Sequence, residues 1–277
     1  MPQHSSSLLS EGMKDWQGPA IWIYNDAEFS AKDFQSLIKL GVGGKSHDDT
    51  KIGRFGVGFN CAFHITDLPS FVSGKYIAFL DPNAKYLPAQ GYPPRRPKGT
   101  RINFVETEFK KNFQDQCYPY EEFGCDFSKE FKGTLFRLPL RNLKSAQQSE
   151  ISNQVFKIKK IKDLQLFNSV QSNKELLFLR NIESCALYHL KEQTPQLKWK
   201  SQIYMSDVCR QIRKTVVDEA QVYRMDIEID IIDRIERKKM SEIWLLCTGG
   251  HEIIKHESKK QQELLEAFSK NKRLKVM

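Results

Sequence analysis

Apolar residues recur along this chain at two spacings, and the change from one to the other marks out its elements. Ala20-Ile21-Trp22-Ile23-Tyr24 is a short apolar run that follows Gly18-Pro19 and ends at Asn25-Asp26, which predicts a strand entered through a turn. Phe34, Leu37, Ile38 and, more loosely, Leu40 keep helical spacing. Ser30 offers an N-cap with Asp33 as a shortened capping-box partner, and Gly41-Val42-Gly43-Gly44 ends the helix. A polar loop at 45–51 leads into Ile52-Gly53-Arg54-Phe55-Gly56-Val57-Gly58-Phe59-Asn60, and the apolar stretch onward to Ile65 predicts a buried helix. Phe71-Val72-Ser73 and Tyr76-Ile77-Ala78-Phe79-Leu80 predict a hairpin turning at Gly74-Lys75. Residues 82–98 are rich in proline and predict an irregular loop, and residues 133–138 predict a strand stopped by Pro139.

A polar stretch at 141–154 reads as the domain boundary. Beyond it, 155–180 is expected to be mostly helical. Strands follow at 185–190, 198–205, 223–232 and 243–248, and a terminal helix at 261–268. Met225, Ile227, Ile229 and Ile231 alternate with Asp226, Glu228 and Asp230, the period of a sheet with one wet face. The pattern therefore predicts an α+β chain in two parts: a layered sheet-and-helix domain over 1–142 and a smaller mixed α/β domain, with a mostly antiparallel sheet, over 143–277.

Composition changes this picture little. The longest apolar run, residues 243–247, is far too short to span a bilayer, and residues 1–10 lack a secretory signal pattern. Six cysteines without a CxxC pair point to reduced thiols and a cytoplasmic location. The formal charge of +9 suits anionic partners. The basic clusters at Lys157, Lys159, Lys160 and Lys162, and at Lys270, Lys272, Arg273 and Lys275, read as solubilising surface ahead of a nucleic-acid site.

Candidate chemistry sits in the glycine-rich segments. Gly53, Gly56 and Gly58 fall where a loop turns into a predicted helix, a junction whose free backbone N–H groups and dipole end bind phosphate. The same glycines also serve a loop that needs them only for tight packing. Gly44-Lys45-Ser46 is no P-loop, because Lys39 stands where that motif needs glycine, and Cys61 replaces the third glycine of a dinucleotide fingerprint. His251 and His256 are five apart and do not share a helix face as a zinc protease requires. His64, between Phe63 and Ile65, reads as a partly buried side chain without a catalytic partner.

These motifs carry a family likeness. Ile52-Gly53-Arg54-Phe55-Gly56-Val57-Gly58-Phe59 resembles the second glycine box of the ninety-kilodalton heat-shock chaperone among the GHKL ATPases, and Lys132-Gly133-Thr134 resembles the third box of that fold. Trp16-Gln17-Gly18-Pro19-Ala20 through Tyr24-Asn25-Asp26-Ala27, Lys39-Leu40-Gly41-Val42-Gly43-Gly44-Lys45, and Thr66-Asp67-Leu68-Pro69-Ser70-Phe71-Val72-Ser73-Gly74 resemble the ATPase-like repeats of the sacsin family. The likeness is strong over about residues 8–142. It continues more faintly through Leu176-Leu177-Phe178-Leu179 and Trp244-Leu245-Leu246-Cys247.

The resemblance implies a Bergerat-type (GHKL) layered α/β sandwich, incomplete at its N-terminus. It implies that Asp26 accepts a hydrogen bond from the adenine amino group and that Leu40 and Gly41 line the pocket. Gly53, Arg54, Phe55, Gly56, Val57, Gly58 and Phe59 would cradle the phosphates of ATP or ADP, Thr134 would support the base, and Lys45 would reach phosphate from a short lid. The superfamily's helix with a catalytic glutamate and a Mg²⁺-holding asparagine has no Glu-x-x-x-Asn counterpart ahead of Trp16, and Glu11 falls in an unpatterned Ser-rich loop. The family's Asp-x-Gly-x-Gly is degraded to Asp26-Ala27-Glu28-Phe29. The expected function is a chaperone or co-chaperone module with protein partners, a degenerate and weak adenine-nucleotide site, no Mg²⁺ ligand and no ATP hydrolysis of its own. The alternatives are an active ATPase whose catalytic helix comes from elsewhere, and a basic nucleic-acid-binding module.

Overall fold

A computed structural model describes residues 6–38, 59–157, 175–179, 181–191, 194–214, 221–232 and 237–248. The chain divides into two units, Met1–Asp163 and Leu164–Met277. Both are α+β, each built on an antiparallel sheet with few helices among the described residues.

The first unit carries a five-stranded sheet in the order β1 (Ala20–Asn25), β5 (Phe131–Pro139), β2 (Ser70–Gly74), β3 (Tyr76–Leu80), β4 (Gly99–Asn103). The β2–β3 hairpin closes at Ser73↔Tyr76 around Gly74-Lys75, as expected, with Gly74 at φ +53°. Alternation along these strands sorts their side chains onto two faces. Val72, Ile77, Phe79 and Leu135 join the larger core, with Met13 and Trp16 from a 3-10 turn at Glu11–Trp16. Phe71 and Ala78 point the other way and meet Phe34 of α1 (Ala31–Ile38). The capping of α1 is as the sequence predicts. Ser30 N and Oγ donate to Asp33 Oδ2 at 3.0 and 2.6 Å, and Asp33 N donates back to Ser30 Oγ at 3.3 Å.

Several elements were not visible in the sequence. β4 is a largely polar edge strand, and the helices α2 (Phe109–Asn112) and α3 (Gln114–Glu121) pack on the larger core, with Pro119 inside α3. Asp115, in the first turn of α3, accepts from Ser6 N at 2.8 Å, Ser7 N at 2.9 Å and Ser6 Oγ at 3.1 Å. These bonds, led by that from the Ser7 backbone, hold its carboxyl down at about 2. The loop at 82–98 folds inward because Asp81 Oδ2 takes the N–H groups of Tyr86 at 2.6 Å and Leu87 at 3.0 Å, which buries both side chains.

Three local expectations change. The stretch to Ile65 is a 3-10 turn at Phe59–His64 in which only Phe63 is buried, and His64 is exposed. Glu11 opens a helical turn in place of a Ser-rich loop. The polar stretch that begins at Arg141 stays attached to the first unit. Arg141 itself is fully buried, and α4 (Leu143–Gln148) is tied back by Asn142 Nδ2 to Asp15 O at 3.1 Å and Lys144 to Asp15 at 2.8 Å.

In the second unit β6 (Ser184–Lys191), β7 (Thr194–Tyr204), β8 (Gln221–Ile232) and β9 (Arg237–Thr248) form a sheet in sequential order. Met225, Ile227 and Ile229 are buried with Ile203, Leu176 and Leu177, while Asp226, Glu228 and Asp230 keep partial access to water, as the alternation predicts. An unexpected helix, α5 (Asp207–Lys214), buries Arg213, whose guanidinium donates to the carbonyls of Leu176, Leu179 and Ile182. Residues 158–174, most of the stretch expected to be helical, and the terminal helix at 261–268 lie outside the described residues. No helix among the described residues is long and apolar enough to cross a membrane. Cys61, Cys117, Cys125, Cys185 and Cys209 are free, and burial pushes the thiols of Cys117 and Cys125 up to about 12.

Candidate functional site

β1 delivers Asp26 to the end of the sheet. Its last residue, Asn25, pairs with Thr134 of β5, and Asp26 turns away at the bend that follows. The chain crossing is tight here. Gly133 sits at φ +92°, and a Cβ on it would come within 2.5 Å of Asn25 O and 2.9 Å of the Tyr24 ring, so only glycine fits without displacement.

Two hydroxyls behind this bend form a directed chain of hydrogen bonds. Thr134 Oγ1 donates its single proton to Ala27 O at 2.7 Å. The 2.9 Å contact between Ser73 Oγ and Thr134 Oγ1 must therefore carry the proton of Ser73. Ser73 Oγ in turn accepts the N–H of Phe29 at 2.8 Å. Asn25 Oδ1 adds a local bond from Ala27 N at 3.2 Å. Both hydroxyl residues are buried, whereas Asp26 is exposed, and among the described residues nothing pairs with its carboxylate. The result is a free acceptor on a backbone gripped on both sides.

Beside this grip lies an aromatic layer. Phe29 packs on Phe34, Phe71 and Phe136, with ring centroids 5.4, 5.0 and 5.9 Å apart. Phe59 reaches the same layer, 5.8 Å from Phe136, two residues along the same face of β5 from Thr134. The segment that follows Phe59 is fixed by Arg141. Its buried guanidinium pairs with the buried Asp67 through Nε at 2.5 Å and donates to the carbonyls of His64 at 2.7 Å and Phe63. Chemically, an exposed carboxylate on a backbone held in this way suits a ligand that carries an amino donor.

Of the sequence-predicted residues, Asp26 follows the Asn25 that pairs with Thr134, and Phe59 meets Phe136 two residues further along β5. Leu40, Gly41, Lys45, Gly53, Arg54, Phe55, Gly56, Val57 and Gly58 lie outside the described residues. The hydrogen bonds that tie Ser73, Phe29 and the Ala27 carbonyl around this bend were missed by reasoning on motifs. The one available signal was a serine facing away from Val72 in the predicted hairpin. Arg141 was misjudged as boundary polarity, because sequence alone does not reveal that its charge is buried against Asp67. Glu11 belongs to the other layer. The turn it opens buries Met13 and Trp16 with Leu135, on the sheet face opposite Thr134.

Comparison with known proteins gives two results. A family model described as the sacsin domain matches residues 1–202. Sacsin from Homo sapiens is 31% identical over 213 residues, which cover 73% of this chain and 5% of that protein. The chain thus spans a small fraction of the length of this relative.

Proposed function

The chain belongs to the sacsin domain family, and from that premise we propose that its first unit is a chaperone or co-chaperone module with a degenerate GHKL-type adenine-nucleotide site. The observation that carries this reading is the pairing of Asn25 with Thr134, which leaves Asp26 exposed at the bend just beyond β1 and, among the described residues, without a partner for its carboxylate. A carboxylate there selects adenine over guanine, because adenine offers an amino donor where guanine offers a carbonyl. Thr134 fits this role through the backbone, since its proton is committed to Ala27 O. The glycine-rich stretch at 53–59 would hold phosphate on its backbone N–H groups, with Lys45 nearby in sequence to meet the same charge.

Turnover is not part of this reading. Glu11, the acid that precedes β1 most distantly, lies in the layer behind the sheet. The loss of a general base costs typically about 100-fold or more in rate. Binding therefore serves conformation or partner contact, and the partners are proteins of the chaperone system or its clients. A cytoplasmic setting accords with the five cysteines that are free among the described residues. Titration calorimetry with ADP and ATP tests the site: weak binding to the whole chain, lost in Asp26→Asn, is the expected result. Equal affinity in the variant, or single-turnover hydrolysis abolished by it, would overturn the proposal.

A further inference from the structure

We propose that Ser73 is a positioning residue that holds Asp26 in place for ligand recognition. The inference rests on the nucleotide reading above and adds a residue that neither the motifs nor the family match singles out. Among the described residues nothing pairs with the Asp26 carboxylate. What fixes it is the grip on its neighbours: Asn25 through strand pairing with Thr134, Ala27 through the Thr134 hydroxyl at 2.7 Å, and Phe29 through Ser73 Oγ at 2.8 Å.

Ser73 has two tasks in that grip. Its oxygen ties down the Phe29 N–H, two residues beyond the only bond that reaches Ala27 from β5. Its proton occupies a lone pair of Thr134 Oγ1 and so leaves the Thr134 proton directed at Ala27 O. If the serine hydroxyl is removed, the Phe29 N–H loses its partner and Thr134 loses the donor that orients it. The bend bearing Asp26 is then held on one side only. Ser73 lies at the register shift between Ser73 and Gly74, where β2 departs from regular pairing with β5, so its side chain supplies the tie just where the ladder lapses.

The test uses the whole chain with Ser73→Ala and the hydroxyl-retaining Ser73→Thr. Amide hydrogen exchange reads the positioning, and calorimetry with ADP and GDP reads its consequence. In Ser73→Ala the Phe29 amide should exchange roughly tenfold faster, while the amides of β2 and β5 keep their protection. ADP affinity should fall roughly three- to tenfold and the preference for ADP over GDP should shrink, effects that a uniform loss of stability would not produce. Ser73→Thr should restore both readouts towards the parent. Unchanged Phe29 exchange in Ser73→Ala, or unchanged ADP affinity despite lost protection, overturns the proposal. A parent chain whose Phe29 amide is protected but which binds no ADP overturns the nucleotide reading instead, and with it the role assigned to Ser73 in recognition.

Discussion

The two faces of the first sheet are made by alternate residues of the same strands, yet they do different work. On one face Val72, Ile77, Phe79 and Leu135 enter an apolar core closed over by the Glu11–Trp16 turn, the folded loop at 82–98 and α3. On the other, their neighbours Ser73 and Thr134 spend their hydroxyls on the backbone of the bend beyond β1, beside a smaller aromatic cluster. A single step along β5, from Thr134 to Leu135, passes from a hydrogen bond on the bend to the apolar core. The hydrogen bonds on one face are thus laid down on strands whose alternate side chains fill a core on the other.

Four measurements sharpen or break that contrast. The largest effect is expected where the two functions share an anchor. Arg141→Ala strands the buried Asp67 carboxylate and frees the Phe63 and His64 carbonyls, and should cost about 3–5 kcal/mol in urea denaturation. Leu135→Ala opens a cavity in the core face and should cost about 2–5 kcal/mol, with nucleotide binding lost in proportion to unfolding. Thr134→Val keeps the shape but strands the Ala27 carbonyl and the Ser73 hydroxyl. It should cost about 1–3 kcal/mol and weaken nucleotide binding even where the chain remains folded. If Leu135→Ala and Thr134→Val proved alike in the ratio of binding loss to stability loss, the division of labour between the faces would be wrong.

The smallest effect is confined to acid. The Asp115 carboxyl is held at about 2 against an ordinary 3.8, so its stabilising contribution is complete above 3.8 and disappears as pH falls through about 2. Asp115→Asn should lower stability at neutral pH and flatten its fall over that acid window, while leaving the Asp26 side of the sheet undisturbed. Thermal melts of both proteins across this range provide the check.

Much of the sheet was legible in the sequence because its signals are local. The run at Ala20 to Tyr24, the hairpin at Gly74-Lys75 and the alternation in β8 each declare themselves within a few residues. β4 and α3 did not, since Gly99–Asn103 lacks an apolar alternation and Pro119 interrupts a helical pattern. Asp26 and Thr134 were legible as positions in a family pattern. The grip that links them was not, because the partnership of Ser73 with Thr134 joins residues 61 apart and depends on the register of β2 against β5. Arg141 failed for a related reason, its partner Asp67 being 74 residues away. A charge looks the same in sequence whether it faces water or another charge.

The place of β1 at the margin of its sheet has a consequence for how the protein is made. Among the described strands its one neighbour is β5, and the bond from Thr134 to Ala27 spans 107 positions. The β2–β3 hairpin can close as soon as it leaves the ribosome, but Ala20–Asn25 must wait for Phe131–Pro139, the strand with which it pairs. Through that interval Trp22 and its apolar companions lack β5 beside them, and a product released before Thr134 would contain Asp26 without the strand pairing of Asn25 or the hydroxyl bond to Ala27.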